Sequence, residues 1–299
     1  MQRVIVPATS ANLGPGFDSV GVAVDLYLRV DIIGPSQEWE IRHNLGDDVP
    51  TDENNLLIKT ILDLAPQTPP QQLYMHSQIP ITRGLGSSSS AIVAAIEIVD
   101  YLNQFQWSLS HKINLANKIE GHPDNIAPCL AGGLVIGVAI GSEEVIWSKE
   151  VFPNTRLIAT VPHYQLSTKK AREVLPDQLS YADAVRANGM GNVLVSKLME
   201  GNLDDAGRLM EQDYFHEPYR KSLVPELEQV RQLLKGVPGV YGTYLSGAGP
   251  TVMTMVQASH SQEIKDLLET SLEEVSLYDF AIDDKGSRFE EVKTLDEFE

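Results

Sequence analysis

The most continuous apolar pattern in the chain follows a run of four serines at residues 87–90. From Ser88 to about Asn103 there is no proline or glycine, and small or aliphatic side chains leave almost no polar face. An apolar segment of this length exceeds an ordinary strand, so it predicts a helix that is buried on most sides. Serine is a good N-cap, which places the start of this helix among the serines.

Shorter patterns predict a mixed α/β organisation for the rest of the first half. A helix is predicted near residues 54–65, and a polar-faced helix from Ser110 to Glu120. Strands are predicted at about residues 2–6, 20–33, 37–42, 71–78, 132–140 and 144–148. These elements end near residue 153, so we expect a first domain over residues 1–153.

The second half has a different order of elements, and we expect it to form a second domain over residues 154–299. Helices are predicted at about 169–175, 181–200, 203–213, 225–235 and 261–274, and strands at 155–161, 240–246, 251–256 and 277–282. Without the extra helices the order is β-α-β-β-α-β, which is typical of a ferredoxin-like (split βαβ) domain. The expected fold class is therefore α+β, with two domains.

Charge and composition restrict the class of protein. The chain has 299 residues, with 23 Lys and Arg against 41 Asp and Glu, and a net charge of −18. An acidic surface disfavours binding to nucleic acid or to acidic membranes, so we expect neither as a partner. No apolar segment reaches transmembrane length, and the N-terminal apolar run is too short for a signal peptide. The single cysteine, Cys129, excludes internal disulfides and suits a reducing compartment, which predicts a cytoplasmic protein.

The residues before the serine helix, "RGLGSSSSA" (83–91), are a candidate anion site. Gly84 and Gly86 would let the backbone turn tightly, and the N–H groups and dipole at a helix start attract anions. The segment matches neither a Walker loop, which needs a lysine, nor the dinucleotide fingerprint, which needs a third glycine. Taken alone, a turn that merely caps a core helix is the simpler interpretation, and other segments must decide.

Three segments together resemble the signature of the GHMP small-molecule kinases. They are "VPATSANLGPGFDSVGVAVD" (6–25), "PITRGLGSSSSA" (80–91) and the glycine-rich hairpin "LSGAGPTV" (245–252). Their order and spacing match over the whole chain. Within that family, "TSANLGPGFD" is similar to the form found in homoserine kinases, and so are "EGHPDNIAP" (120–128), "TKKAREVLP" (168–176) and "EPYR" (217–220).

The resemblance implies a two-domain GHMP kinase fold, with a mixed α/β N-terminal domain and a ferredoxin-like C-terminal domain. It implies ATP and Mg²⁺ as cofactors, L-homoserine as the substrate, O-phospho-L-homoserine as the product and a homodimer as the assembly. Two alternatives stay open at this point. One is a kinase of the same family that acts on a different small alcohol, and the other is a non-catalytic family member.

The resemblance also implies residues for the nucleotide and the metal. The predicted ATP-binding residues are Pro80, Ile81, Thr82, Arg83, Gly84, Leu85, Gly86, Ser87, Ser88, Ser89, Ser90, Gly247 and Gly249. Magnesium takes few protein oxygens besides phosphates and water, and Ser88 and Glu120 are the predicted ligands. The sequence does not distinguish among the four serines, and Glu120 could instead be a solvated acid at a helix end.

The predicted substrate-binding residues follow from the carboxylate, ammonium and hydroxyl groups of homoserine. They are Asn12, Asp18, His122, Asp124, Thr168, Arg172 and Arg220. The two arginines are expected to fork onto the carboxylate, which lysine cannot copy. The aspartates are candidates for the ammonium, and Asn12 suits the hydroxyl. His122 as a packed core residue and Asp18 as a turn residue remain alternatives.

The predicted catalytic residues are Asn12, Asp124 and Asn125. If Asp124 occupies the general-base position of related kinases, it could take the hydroxyl proton; if Asn125 does, there is no base. Base catalysis contributes about 10²–10⁴-fold, whereas orientation alone can supply about 7–11 kcal/mol. A base-free transfer is therefore sufficient, and it is the alternative that we favour.

Overall fold

The first half of the chain folds into a sheet covered by helices. A computed structural model describes residues 1–142 and 144–293, and the elements are numbered in chain order. The strands of the first sheet are β1 (Gln2–Ala11), β2 (Val20–Pro35), β3 (Glu40–His43), β4 (Gln71–Ser77), β5 (Leu134–Ile140), β6 (Glu144–Glu150) and β11 (Arg288–Glu291). The helices of this half are α1 (Leu56–Leu64), α2 (Ser87–Asn103), α3 (Leu109–Glu120) and α4 (Pro123–Ala131).

The long strand β2 is the branch point of the first sheet. It pairs with β1 along most of its length, with β4 through residues 28–35 and with β5 through residues 20–22. The sheet order is therefore β11-β1-β2-β4-β3, with β5 and β6 attached at the start of β2. The β1 register shifts at Pro7, which has no N–H to donate to the ladder.

Two helices of the first half decide the position of the site. Helix α2 is the buried helix predicted from the serine run, and 10 of its 17 residues are buried. Helix α4 is missing from the predicted elements because it contains two prolines, at its first position and at Pro128. Pro128 leaves the Asp124 carbonyl without an intrahelical donor. That carbonyl packs against Gly21 of β2, where a Cβ would come within 1.7 Å of it.

The second half confirms the predicted ferredoxin-like order. Its antiparallel sheet has the order β10-β7-β9-β8, built from β7 (Arg156–Pro162), β8 (Val240–Leu245), β9 (Val252–Val256) and β10 (Val275–Phe280). The helices are α5 (Thr168–Glu173), α6 (Tyr181–Glu200), α7 (Leu203–Met210), α8 (Glu217–Arg220), α9 (Glu226–Leu234) and α10 (Ser261–Ser271). No helix within residues 1–142 or 144–293 is long and apolar enough to cross a membrane.

The two sheets are joined by shared packing and by the returning chain. Tyr244 and Met253 of the second sheet belong to the same buried cluster as the β1 side chains. Strand β11, for which the sequence predicts no element, pairs with β1. Just before it, the carboxylate of Asp283 accepts the hydroxyl of Tyr27 at 2.9 Å. The domain division at residues 153 and 154 stays a prediction.

Helix α7 and strand β8 approach each other closely at Gly207, and this contact generates a stability prediction. A Cβ on Gly207 would lie 1.9 Å from the Tyr241 carbonyl oxygen, whereas a Cβ on Gly189 in α6 meets nothing within 4 Å. Gly207→Ala should lower the free energy of unfolding by about 1–3 kcal/mol through overpacking. Gly189→Ala should leave it unchanged or raise it by up to about 1 kcal/mol. Urea denaturation checks both, and equal effects of the two substitutions would contradict the described packing.

Candidate active site

A cavity of about 290 Å³ lies where the three glycine-containing segments meet. Every residue predicted for catalysis, substrate binding or the metal lines it, and so does every predicted ATP-binding residue except Pro80 and Leu85. Leu85 packs in the core with 1% of its surface exposed, and its carbonyl accepts the N–H of Thr9 at 3.2 Å. Pro80 and Leu85 are thus the two predicted ATP-binding residues that do not line this cavity.

The loop before α2 is shaped to present N–H groups to the cavity. Gly84 and Gly86 have φ values of 78° and 70°, which disfavour any other residue. A Cβ on Gly86 would lie 2.1 Å from the Thr9 hydroxyl oxygen. The first intrahelical donor is Ser90, which bonds the Gly86 carbonyl. The N–H groups of Ser87–Ser89 are thus left over at a 17-residue helix start, where an anion is favoured.

The third glycine loop locks onto the first two segments. The hydroxyl of Ser246 donates to the Gly84 carbonyl at 2.7 Å, and the N–H of Gly247 donates to the Ala11 carbonyl at 3.1 Å. A Cβ on Gly84 would lie 2.4 Å from the Ser246 carbonyl oxygen. Gly247 and Gly249 have φ values of 55° and 86°, which favour glycine and explain why "LSGAGPTV" contains more of it than a plain hairpin needs.

Arg83 holds the loop in place through three hydrogen bonds to main-chain carbonyls. It donates to the carbonyls of Ile81, Pro162 and His163 at 3.1, 3.0 and 2.6 Å. Burial lowers its pKa. The contacts tie the loop before α2 to the end of β7, so this arginine, predicted to bind ATP, supports the loop through main-chain oxygens.

Glu120, at the end of α3, faces the serine turn of α2. Its carboxylate accepts the hydroxyl of Ser89 at 3.3 Å, whereas Ser88, the predicted metal ligand, has an exposed side chain. Burial raises the pKa of Glu120, although the nearby His122 and the Ser89 hydrogen bond act in the opposite direction. Oxygen ligands of this kind fit a hard divalent cation, whose charge would offset the cost of ionising the carboxylate.

The opposite end of the cavity is charged. Arg172 of α5 donates two hydrogen bonds to Asp18, at 3.2 and 2.8 Å. Thr168, the first residue of α5, lines the cavity one turn earlier, as the four-residue spacing predicts. Arg220 of α8 is 1% exposed, and its pKa is lowered to about 10, first by burial and then by the positive charge of Arg172.

Three polar side chains connect these two ends. His122 and Asp124 share a hydrogen bond of 2.5 Å, and the bond and charge of Asp124 raise the pKa of His122 against the effect of burial. Asn125 donates to Asp124 at 3.2 Å and accepts from Thr9 at 2.8 Å. Ligating atoms of Asp18, His122 and Asp124 lie within 4.8 Å of one another, so this part of the cavity is suited to a cationic group.

Asn12 is more deeply engaged than the sequence predicts. It has φ of 76°, and its side chain is 2% exposed. Its amide nitrogen donates to the Gly247 carbonyl at 3.0 Å, and its amide oxygen accepts the N–H of Asp18 at 3.1 Å. Asn12 therefore bridges the first and third segments, and a contact with a substrate hydroxyl stays a prediction.

An apolar end of the cavity is missing from the predicted site. It is lined by side chains from β2, the segment after β3, α1 and β4, which are Leu28, Leu45, Val49, Leu56 and Met75. Apolar residues spread over four elements carry no local motif, and only the folded sheet brings them together. A planar apolar group of a ligand fits such a surface.

Comparison with known proteins agrees with this geometry. Residues 55–133 match the GHMP kinases N terminal domain, and residues 194–273 match the GHMP kinases C terminal domain. The homoserine kinase of Enterococcus faecalis (strain ATCC 700802 / V583) is 45% identical over 95% of this chain and 98% of its own. That of Streptococcus pneumoniae (strain Hungary19A-6) is 46% identical over 96% and 99%.

A solved structure from Listeria monocytogenes, of a candidate homoserine kinase, covers 98% of this chain and 100% of its own. Its TM-score is 0.89 at 37% identity. The chain belongs to the homoserine kinases of the GHMP kinase family. It is therefore an ATP-dependent small-molecule kinase. The GHMP domain matches include the serine loop and Arg220, whereas Asn12, Asp18 and Arg172 lie outside both matched ranges.

Proposed function

We propose that the chain transfers the γ-phosphoryl group of ATP to the side-chain hydroxyl of L-homoserine, which gives O-phospho-L-homoserine and ADP. The observation that carries the proposal is that one cavity joins a helix N-terminus to a corner with two arginines and an aspartate. The first feature suits phosphates, and the second suits an amino-acid zwitterion. The homoserine kinase relatives support the same substrate.

The nucleotide would lie along the α2 end of the cavity. Its phosphates would accept hydrogen bonds from the N–H groups of Ser87–Ser89. Its base would pack against the apolar surface formed by residues such as Leu45 and Met75. Phosphoryl transfer depends mainly on positioning and on stabilising negative charge. Preorganised N–H groups supply both without any covalent step by the protein.

The amino acid would lie at the charged end. The positive charge of Arg172 contributes to lowering the pKa of Arg220, so a carboxylate placed against both would relieve that repulsion. The substrate ammonium would be bound by Asp18, with His122 and Asp124 behind it. Mevalonate lacks an ammonium and sugars lack a carboxylate, so this combination favours an amino acid over the other acceptors of the family.

The acceptor hydroxyl would lie between these two ends, near Asp124 and Asn125. One oxygen of Asp124 already accepts from His122 and Asn125, and a base could act only through the other. We favour transfer without a base, in which orientation supplies the acceleration and the proton leaves with the product phosphate or solvent. Loss of the acidic limb of the rate profile in Asp124→Asn would reverse this preference.

Magnesium would be held by Glu120 together with a serine hydroxyl, and Ser89 is the serine that contacts Glu120. When bound, the ion would neutralise phosphate charge during transfer. This role matters in a chain with a net charge of −18, whose overall field opposes a polyanion.

Two further properties are proposals of the same kind, a cytoplasmic location and a homodimer. The single cysteine supports the first. The second is supported by the outer face of the β5–β6 hairpin, where Val138 and Ile146 are register partners and are 53% and 58% exposed. Sedimentation equilibrium would give the mass, and Ile146→Lys should reduce it if this face is the interface.

The experiment that tests the function is ADP release with a panel of acceptors. Homoserine should support turnover with ATP and Mg²⁺, while mevalonate, shikimate and galactose should give no more than the rate without acceptor. A preference for mevalonate or a sugar would identify a different kinase of the family. No turnover with any acceptor would identify a non-catalytic member.

The Glu120→Gln substitution tests the metal site. The Mg²⁺ concentration for half-maximal activity should rise about tenfold or more. The substitution should not weaken the fold. Because burial raises the pKa of Glu120, the folded state loses stability as pH rises and this carboxyl ionises, whereas glutamine stays neutral. A magnesium titration that overlays the unmodified chain would remove Glu120 from the site.

The arginine pair gives a second prediction. Arg172→Ala and Arg220→Ala should each raise KM for homoserine about ten- to hundredfold, because each removes charge-assisted bonds to the carboxylate. KM for ATP should stay near that of the unmodified chain. Arg208→Ala is the matched control, since the Arg208 side chain is 82% exposed on α7. Homoserine KM within about twofold of the control in both variants would exclude the arginine contact with the carboxylate.

A further inference from the structure

The buried imidazole of His216 contacts both Arg220 and the loop that contains Gly14. It is 0% exposed, and its ring stacks on Phe17 with the centroids 5.2 Å apart. Its backbone N–H is fixed by the carboxylate of Asp213, which also accepts the N–H of Glu217, both at 2.7 Å. His216 is therefore fixed through its backbone N–H as well as through its ring.

The hydrogen bonds of His216 determine its tautomer. Nε2 lies 3.1 Å from the Gly14 carbonyl oxygen, which can only accept, so Nε2 carries the hydrogen. Nδ1 lies 3.2 Å from Nη1 of Arg220, and a guanidinium can only donate. His216 is therefore neutral, with its Nδ1 lone pair directed at Arg220.

Arg220 is left with one pair of N–H groups for the cavity. Its Nε donates to the Ala171 carbonyl at 3.0 Å, and its Nη1 donates to His216 and to the Gly247 carbonyl at 3.2 and 3.0 Å. Nη2 makes no hydrogen bond to any residue in the described ranges, and Arg220 lines the cavity. The guanidinium is thus fixed in its plane with one edge available to a ligand.

The group that accepts from Nη1 of Arg220 is the neutral Nδ1 of His216, so it does not cancel the charge of the guanidinium. A carboxylate in the place of Nδ1 would orient the guanidinium equally well but would cancel its charge. A neutral imidazole orients it and leaves the charge for a ligand. Burial lowers the pKa of His216, and the neighbouring Arg220 adds to this, against the opposing effect of Asp213, whose carboxylate lies 3.5 Å from Nε2. The imidazole therefore stays neutral at working pH.

We propose that His216 is a positioning residue for the amino-acid substrate, which acts by orienting Arg220 toward the substrate carboxylate and by joining α8 to the Gly14 loop. The inference rests on the proposed function, because the carboxylate is that of homoserine. The same loop carries Phe17 and Asp18, and Phe17 lies 5.4 Å below the Arg220 guanidinium. One side chain thus sets the relative position of groups for both ends of the zwitterion.

Two matched substitutions separate the two hydrogen bonds of His216. In His216→Asn the amide oxygen lies as many bonds from Cβ as Nδ1 does, so the acceptor for Arg220 is kept. In His216→Gln the amide nitrogen replaces Nε2, so the bond to Gly14 is kept and the acceptor for Arg220 is lost. Both remove the ring and its stacking on Phe17. KM for homoserine should be about tenfold higher in His216→Gln than in His216→Asn, with kcat and KM for ATP similar in the two.

A double-mutant cycle tests whether the effect passes through Arg220. In an Arg220→Lys background the two His216 variants should have the same KM for homoserine, because lysine has no Nη1. Equal KM values in the native background, or an unchanged ratio in the Arg220→Lys background, would overturn the proposal. Absence of homoserine phosphorylation by the unmodified chain would instead contradict the proposed function.

A measurement on the unmodified chain covers the case in which both variants fail to fold. The ¹⁵N chemical shifts of His216 should report the neutral Nε2–H tautomer between about pH 6 and pH 8. The Nδ1 resonance should shift when homoserine binds. An imidazolium, the other tautomer, or an Nδ1 signal unaffected by homoserine would overturn the proposal.

Discussion

The active site depends on the backbone-to-backbone approach of three loops that are far apart in the chain. Gly84 touches the Ser246 carbonyl, and Gly247 donates to the Ala11 carbonyl. Contacts this short tolerate almost no displacement of one sheet relative to the other. The buried cluster that contains both Met253 and the β1 side chains provides the required rigidity. Core packing between the sheets is therefore part of how the site is built.

The charge distribution follows from the same arrangement. A chain with a net charge of −18 repels ATP at long range, so attraction must come from groups that act at contact distance. The start of α2 supplies partial positive charge without a cationic side chain. Arg83, the cation within that loop, donates hydrogen bonds to three main-chain carbonyls. In the proposed function, backbone dipoles would thus replace the lysine of other phosphate-binding loops.

The sequence predicts those parts of the fold that have a local pattern. The apolar run of α2 and the ferredoxin-like order of elements in the second half are examples, and both are confirmed. Helix α4 has two prolines in nine residues and is recognisable only from its packing against Gly21. The apolar end of the cavity comes from four elements, and no single segment shows it.

The finer assignments within the site depend on geometry that no spacing rule contains. Four consecutive serines look equivalent in sequence, yet Ser89 faces Glu120 while Ser88 is exposed, because the packing of α2 on its neighbours sets the helical phase. Asp18 and Arg172 are predicted to bind opposite ends of the substrate, and the structure shows that they bind each other. The role proposed for His216 likewise depends on a contact with Gly14, which is 202 positions away in the chain.

In the proposed function, the Asp18–Arg172 pair would select a zwitterion. The two side chains are about one third exposed, at 33% and 39%, and such a pair contributes only about 0–1 kcal/mol. Opening it therefore costs little, and it keeps both groups in place before a substrate arrives, which reduces the entropy lost on binding. A ligand with both an ammonium and a carboxylate gives each partner a new contact. A ligand with one charge would satisfy one partner and leave the other without its counter-ion in a partly buried site, so the pair disfavours it.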